Sequence, residues 1–370
     1  MRILMIGNNL GVQSGVQRYI QNLLLHMDTE TYQVDLLAGP CPPNQQSTGP
    51  ALEAHGVHWY SIPDDDKKRL PHLVRFLRTH KGYDIVHLHT ASKVNALACV
   101  LIRLYCPGAK LIVHSHIVYP PMTLVWRMAH GLYQLTAHWF LGCGVAAGRF
   151  VFGEHIDRKT NFSVACNAVD HSRFYPDAAA RDRVREQYGV SDTQRLCGFV
   201  GRYNHQKNLL FLLDIFAAMS KADDRWRLMM VGSGEDQAAV DEKIARLGLT
   251  GKVIQTGVQE DIPAFMNAFD LFLLPSNFEG SPITLVEAQG CGTPCLASTN
   301  VPDDGAVTDL VQFLPLNAPL DHWVQAADQA ARGGPHADRW NELEAAGYEQ
   351  QEAALRMQAL YELLAGVGSK

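Results

Sequence analysis

Apolar runs of four to six residues recur along the chain, separated by longer stretches in which apolar residues return every three or four positions. Short, nearly continuous apolar runs suit strands buried on both faces, and the stretches between them suit crossover helices. In the first half this pattern predicts strands at 3–6, 34–38, 58–62, 85–89, 111–115, 139–143 and 162–166, with helices such as 15–27 and 92–105 between them. The alternation lapses from 167 to 192, a polar stretch that carries Pro176 and a run of arginines, aspartates and alanines, and reads as a linker with a short helix. It restarts with strands at 196–200, 227–231, 253–256, 271–275 and 294–297, and the tail reads as one helical run over 341–364.

Two such alternating units predict an α/β protein of two Rossmann-like, doubly wound parallel-sheet domains facing across a cleft. The expected bounds are 1–172, 173–345, and a C-terminal helix over 346–370 that crosses back to the first domain. A chain of 370 residues exceeds what one core usually serves, which agrees with two domains. Hydrophobic residues at 47% and charged residues at 19% fit an ordinary globular protein. No apolar run reaches membrane-spanning length, and the apolar part of MRILMIGNNLG is too short for a signal peptide, so a cytoplasmic protein is expected. Eight cysteines without CxxC spacing point to reduced, buried thiols, and leave the sequon at Asn161 without meaning. Charge is uneven: residues 1–172 hold fifteen Lys/Arg against eleven Asp/Glu (+4), and the remainder seventeen against twenty-seven (−10). The first half is therefore the one expected to face something anionic.

Open α/β sheets bind ligands beyond the carboxyl ends of their strands. The stretch PSNFEGSPITLVEAQGCGTPCLAS places a strand, a turn at Gly280-Ser281-Pro282, and a helix beginning at Pro282 and ending at Gly290. Such a helix start, with Ile283 and Thr284 in its first turn, aims free N–H groups at an anion. Glu279 lies just before it and Glu287 inside it.

The pair Glu279-x7-Glu287 within FEGSPITLVEAQGCGTP resembles the signature of retaining glycosyltransferase family 4, whose fold is GT-B. VGRYNHQKN (200–208) is similar to that family's Arg…Lys phosphate clamp, VGSGE (231–235) to its strand-ending glycine loop, and SGVQRYIQNL (14–23) and NAVD (167–170) to its first-half motifs. Among its members, the exopolysaccharide and capsule enzymes look nearest, through HSH and FEGSPITLVEAQ. Two positions depart from the family: Ser14 stands where a first glycine is common, and Ala168 where a glycine is usual.

The resemblance implies a hexosyltransferase that takes a sugar from a nucleoside diphosphate sugar, expected to be a UDP-sugar, and passes it to a glycan or lipid-linked acceptor. The first domain would be the acceptor side and the second would bind the donor. Arg202 and Lys207 would offset the diphosphate charge, so no metal and no cofactor is expected. Glu287 would accept from the ribose and Glu279 from the sugar hydroxyls. The backbone at Gln259 would read the base, the helix start at Gly280, Ser281, Pro282, Ile283 and Thr284 would face the diphosphate, and Gly15 would admit it closely. His116 would hydrogen-bond a sugar hydroxyl or the reacting centre. Rival readings are a GT-B epimerase or phosphorylase and a non-catalytic sugar-binding protein. The first should show carboxylates in the first domain, the second a phosphate or pyridoxal-phosphate lysine site, and the third an export signal.

VHLHT and VHSH bring His87, His89, His114 and His116 to two strand ends. Without a carboxylate at ligand spacing, the first three read as structural histidines with satisfied nitrogens, not as a metal site. KKRLPHLVRFLRTHK (67–81) carries six Lys/Arg and no acid, with Leu70, Leu73, Val74 and Leu77 at helical spacing. It and the aromatic, basic stretch 119–140 read either as core and surface helices or as a peripheral face for the inner leaflet of an anionic membrane. No nucleic-acid partner is expected.

Overall fold

In the computed structural model, which describes residues 1–11, 15–42, 47–63, 65–89, 92–117, 123–332 and 336–367, the chain forms two units. One comprises Met1–Ala168 with Gln350–Lys370, and the other Val169–Glu349.

The first unit runs β1 (Arg2–Asn9), α1 (Gly15–Leu25), β2 (Gln33–Gly39), α2 (Gly49–Ala54), β3 (His58–Ser61), α3 (Asp66–Thr79), β4 (Ile85–His89), α4 (Lys93–Tyr105), β5 (Lys110–Ser115), α5 (Leu124–Thr136), β6 (Trp139–Gly142), α6 (Val145–Phe152) and β7 (Phe162–Val164). Its seven strands are all parallel, in the order β3-β2-β1-β4-β5-β6-β7. Period-two burial divides the core cleanly. Leu4, Ile6, Val86, Leu88, Leu111 and Val113 join the apolar sides of α3, α4 and α5 on one face, whereas Ile3, Met5, Ile85 and Ile112 join α1 on the other.

The second unit runs α7 (Ala178–Gln187), β8 (Arg195–Val200), α8 (Leu209–Ala222), β9 (Trp226–Val231), α9 (Gln237–Arg246), β10 (Val253–Gly257), α10 (Ile262–Ala268), β11 (Leu271–Leu274), α11 (Ile283–Gly290), β12 (Cys295–Ser298), β13 (Val311–Leu314), α12 (Leu320–Ala330) and α13 (Trp340–Ala345). Its strands are parallel in the order β10-β9-β8-β11-β12-β13. The chain thus builds outward from β8 in one direction and then from β11 in the other. The carboxyl ends of β8 and β11 flank the point where that direction reverses.

Three expectations need correction. The helical tail is two helices: α13 ends in the second unit, Gly347 adopts φ 88, and α14 (Gln350–Ala365) belongs to the first unit, burying Ala354, Met357 and Tyr361 beside α1. A break at a left-handed glycine is the usual end of a helix. Strand β13 was absent from the sequence pattern because its residues are only partly buried at a sheet edge. Helix α11 begins at Ile283, with Pro282 just outside it. All eight cysteines are free thiols, six of them buried. Among the described residues no helix is long and apolar enough to cross a membrane.

Candidate active site

In the second unit, the loops after β8 and β11 are tied together at the reversal point. Beyond Val200 the chain makes a short 3-10 turn, His205–Lys207, in which the Asn204 carboxamide accepts from the Lys207 N–H at 3.2 Å. Asn208 then takes up φ 55, the only non-glycine residue with positive φ among the described residues, and its amide donates to the Pro275 carbonyl at 3.1 Å. Asn can hold that left-handed conformation at small cost. From the other side, Asn277 donates its N–H to the Gln206 carbonyl (2.8 Å) and its amide to that of His205 (2.7 Å).

These ties deliver Lys207 to Glu279. The ammonium donates to Glu279 Oε1 at 2.7 Å, with the side chains only 13% and 5% exposed. Ser276 donates to the same oxygen at 2.6 Å, and Gln206 to Oε2 at 2.8 Å. A carboxylate with three donors is well held, but burying both charges is expensive, and each depends on the other. Gln206 and Ser276 were not singled out from the sequence. The three-residue spacing from Ser276 to Glu279 was the available signal.

Arg202 does not join this cluster. It pairs with Glu235 at 3.0 Å on the surface, with side chains 71% and 55% exposed, and a solvent-exposed pair of this kind restrains it little. What places it is backbone. A Cβ on Gly232 would stand 1.9 Å from the Gly201 oxygen, and one on Gly234 would stand 2.2 Å from the Tyr203 oxygen. The glycine loop therefore presses against the strand that leads to Arg202 in a way that no other residue permits.

At the start of α11 no side chain caps the helix, and the Thr284 hydroxyl is buried without a partner among the described residues. Gly280, Ser281 and Ile283 are half-buried, and Pro282 is buried. Glu287 lies buried within α11. Nearby, Gln289 donates to the Leu285 and Gly305 carbonyls and accepts from the N–H groups of Val307 and Thr308, which pins the following loop to α11. Gln259 follows β10, its amide donating to the Thr256 carbonyl at 2.7 Å.

The remaining predicted residues lie in the first unit. Gly15 opens α1, and a Cβ there would meet nothing within 4 Å among the described residues. Ser14 and residues 119–122 of the aromatic stretch fall outside the described residues. His116 stands one residue past β5. His87, His89 and His114 project to the α1 face with ligand nitrogens within 4.8 Å of one another. Such a spacing could admit a metal ion, and the rings are stacked or tilted side by side (His87 on His89 at 4.0 Å and 26°). The reading of satisfied histidines holds only in part. His87 Nδ1 meets the Tyr361 hydroxyl at 2.7 Å, but both nitrogens of His114 are buried without a partner among the described residues. Burial pushes His87 and His116 down to about 3, and burial followed by the neighbouring imidazoles holds His89 and His114 well below the usual range. All four are neutral near pH 7.

Helix α3 turns Leu73, Phe76 and Leu77 inward and leaves Lys67, Lys68, Arg75 and Arg78 exposed, while Arg69 donates to the Gly7 carbonyl and Lys81 to that of Tyr105. In α5, Ala129 and Tyr133 are buried, but Leu124, Val125, Met128 and Leu135 are exposed, the last by 83%. The aromatic stretch is thus core on one side only.

Residues 180–342 match the family of glycosyl transferases group 1, and residues 14–195 match the glycosyl transferase 4-like domain. The chain is 27% identical to EpsF of Bacillus subtilis, named as a glycosyltransferase, over 92% of this chain and 91% of that one. It is 26% identical to the UDP-Gal:alpha-D-GlcNAc-diphosphoundecaprenol alpha-1,3-galactosyltransferase of Escherichia coli, over 77% and 76%. Among solved structures, HepE of Anabaena in complex with UDP-glucose superposes with a TM-score of 0.71 at 18% identity, covering 99% of this chain and 98% of that one. A glycosyltransferase from Rickettsia africae reaches 0.78 at 16% identity, covering 98% of each. These likenesses show the GT-B fold.

The neutral histidines carry a pH dependence. Above about pH 6.5 they are neutral in both folded and unfolded chains, and their contribution to stability is complete. Below that, the unfolded chain takes up protons that the buried rings refuse, so stability falls as pH drops toward 3. For fully buried His87 the slope is on the order of 1 kcal/mol per pH unit. Urea unfolding between pH 7.5 and pH 5 should show this loss, and His87→Phe should flatten it. An unchanged slope in that variant would contradict the assignment.

Proposed function

We propose that this chain, which belongs to the group 1 and 4-like glycosyl transferases, moves a hexose from a UDP-sugar to a glycan or lipid-linked acceptor, with retention at the anomeric carbon, in exopolysaccharide or capsule assembly. The observation that carries the reading is the buried Lys207–Glu279 pair, held by Ser276 and Gln206 at the reversal point of the second sheet. The names of EpsF and of the undecaprenol-linked galactosyltransferase, and the UDP-glucose bound to HepE, support the donor and acceptor classes.

In this reading the second unit binds the donor and the first serves the acceptor. An arriving diphosphate competes with Glu279 for the Lys207 ammonium. Lys207 then offsets the charge that grows as the bond from sugar C1 to the phosphate oxygen breaks, and Glu279 is released to accept from sugar hydroxyls. Arg202, loosely held by Glu235, turns to the same phosphates. The start of α11, from Gly280 to Thr284, adds oriented N–H groups and the unpartnered Thr284 hydroxyl. Glu287 accepts from the ribose, and the backbone at Gln259 reads the base. The open space beside Gly15 leaves room for close approach, and His116 donates to or accepts from a sugar hydroxyl. The acceptor oxygen attacks from the face the leaving group departs, and its proton passes to the departing phosphate oxygen. The protein's share is positioning and charge, without a divalent metal.

The first unit also suits a peripheral site on the inner face of an anionic membrane. Helices α3, α4 and α5 cover one face of its sheet. Their outer side shows the α3 cations together with Leu97, Leu104, Leu124, Val125, Met128 and Leu135, and no acid occurs between Asp84 and Glu154. Cations beside exposed apolar groups match anionic headgroups over acyl chains.

Two measurements test this reading. Release of UDP across a panel of UDP-sugars should identify a donor, survive EDTA, and fall in folded Lys207→Ala by about 2–4 kcal/mol of transition-state stabilisation. Unchanged kinetics in Lys207→Ala would remove the clamp, and loss with EDTA restored by Mg²⁺ would remove metal independence. The protein should sediment with anionic vesicles at low salt, and Arg75→Glu with Arg78→Glu, or Leu124→Glu with Met128→Glu, should weaken that about tenfold. Wild-type protein that ignores such vesicles would make a soluble acceptor the better assignment.

A further inference from the structure

The reading above gives His116 a role at the donor sugar, yet His116 lies beyond the end of β5 and no β-ladder holds it. What fixes its ring is a set of aromatic side chains reaching back to the last helix of the chain. His116 Nε2 is 3.2 Å from His89 Nδ1, so one proton lies between the two nitrogens and couples their tautomers. The His116 ring also lies 4.0 Å from that of His114, centroid to centroid. His89 in turn stacks on His87 at 4.0 Å, and Tyr19 of α1 packs its ring against His89, His114 and His116 at 4.9–5.7 Å. At the far end, the hydroxyl of Tyr361 on α14 meets His87 Nδ1 at 2.7 Å. His87, His89, His114 and Tyr361 are at most 1% exposed, so neither water nor an alternative rotamer readily replaces these contacts.

We infer that Tyr361 is a positioning residue for transfer: its hydroxyl holds the His87 ring in place, the stack of His87 on His89 holds that ring in turn, and the His89–His116 contact fixes the aim of His116. The C-terminal helix would then be part of the active-site scaffold as well as of the core. A His116 ring free to turn would present its nitrogen to a sugar hydroxyl in only part of the molecules. A hydroxyl that fixes orientation from outside the reacting shell is a familiar means of tuning a histidine.

Because the inference rests on the role given to His116, His116→Ala must be measured beside Tyr361→Phe. The phenyl ring keeps the packing of α14 and removes only the hydroxyl. With the UDP-sugar that turns over best, Tyr361→Phe should lower kcat about tenfold and leave donor KM within about twofold. The imidazole ring signals of His87 and His116 in the full-length protein should be single and sharp in the wild type, and broadened or doubled at both in Tyr361→Phe. If His116→Ala transfers normally, the role of His116 fails. If His116→Ala is inactive but Tyr361→Phe keeps its kcat and its His116 signals, the inference is overturned. Should Tyr361→Phe not fold, His116 ring signals averaged over several orientations in the wild type would overturn it equally.

Discussion

Two opposite charges, Lys207 and Glu279, are buried against each other where the second sheet reverses direction. Neither would tolerate that position alone, because an unpaired buried ion costs several kcal/mol. Much of the surrounding architecture serves to hold the pair. Asn208 accepts a left-handed backbone so that its amide can reach the β11 loop, Asn277 ties that loop back to the 3-10 turn, and Ser276 and Gln206 complete the carboxylate's partners. In the proposed mechanism, this pair beyond the carboxyl ends of the strands exchanges one partner for a charged ligand.

The strands were legible because burial on both faces leaves a continuous apolar run, as in Leu271–Leu274, where all four residues are buried. Strand β13 was not, because Val311–Leu314 sits at an edge and is mostly half-exposed. The C-terminal helices look continuous in composition, and only Gly347, with φ 88, separates a piece that belongs to the second unit from one that belongs to the first. Nothing local to residues 341–364 says that they serve different cores.

Of the site, the charged residues were legible from their motifs, and their partners were not. Glu279 and Lys207 were assigned to different parts of a ligand, and the structure joins them to each other. Arg202 and Lys207 were expected to act as one clamp, and they occupy different settings, one exposed and one enclosed. The link from His87 to Tyr361 spans 274 residues of chain, a separation at which periodicity carries no information. Sequence spacing placed the histidines in two pairs at two strand ends, but what their rings pack against depended on α1 and α14, which only packing brings there.

In the proposed mechanism the Lys207–Glu279 pair gives way to the donor. A crystal structure of the protein with UDP-glucose bound tests it most directly. Lys207 Nζ should then lie within hydrogen-bond distance of a phosphate oxygen, with Glu279 turned toward the sugar hydroxyls. A bound nucleotide with the Lys207–Glu279 contact still at 2.7 Å and no phosphate near Lys207 would contradict it.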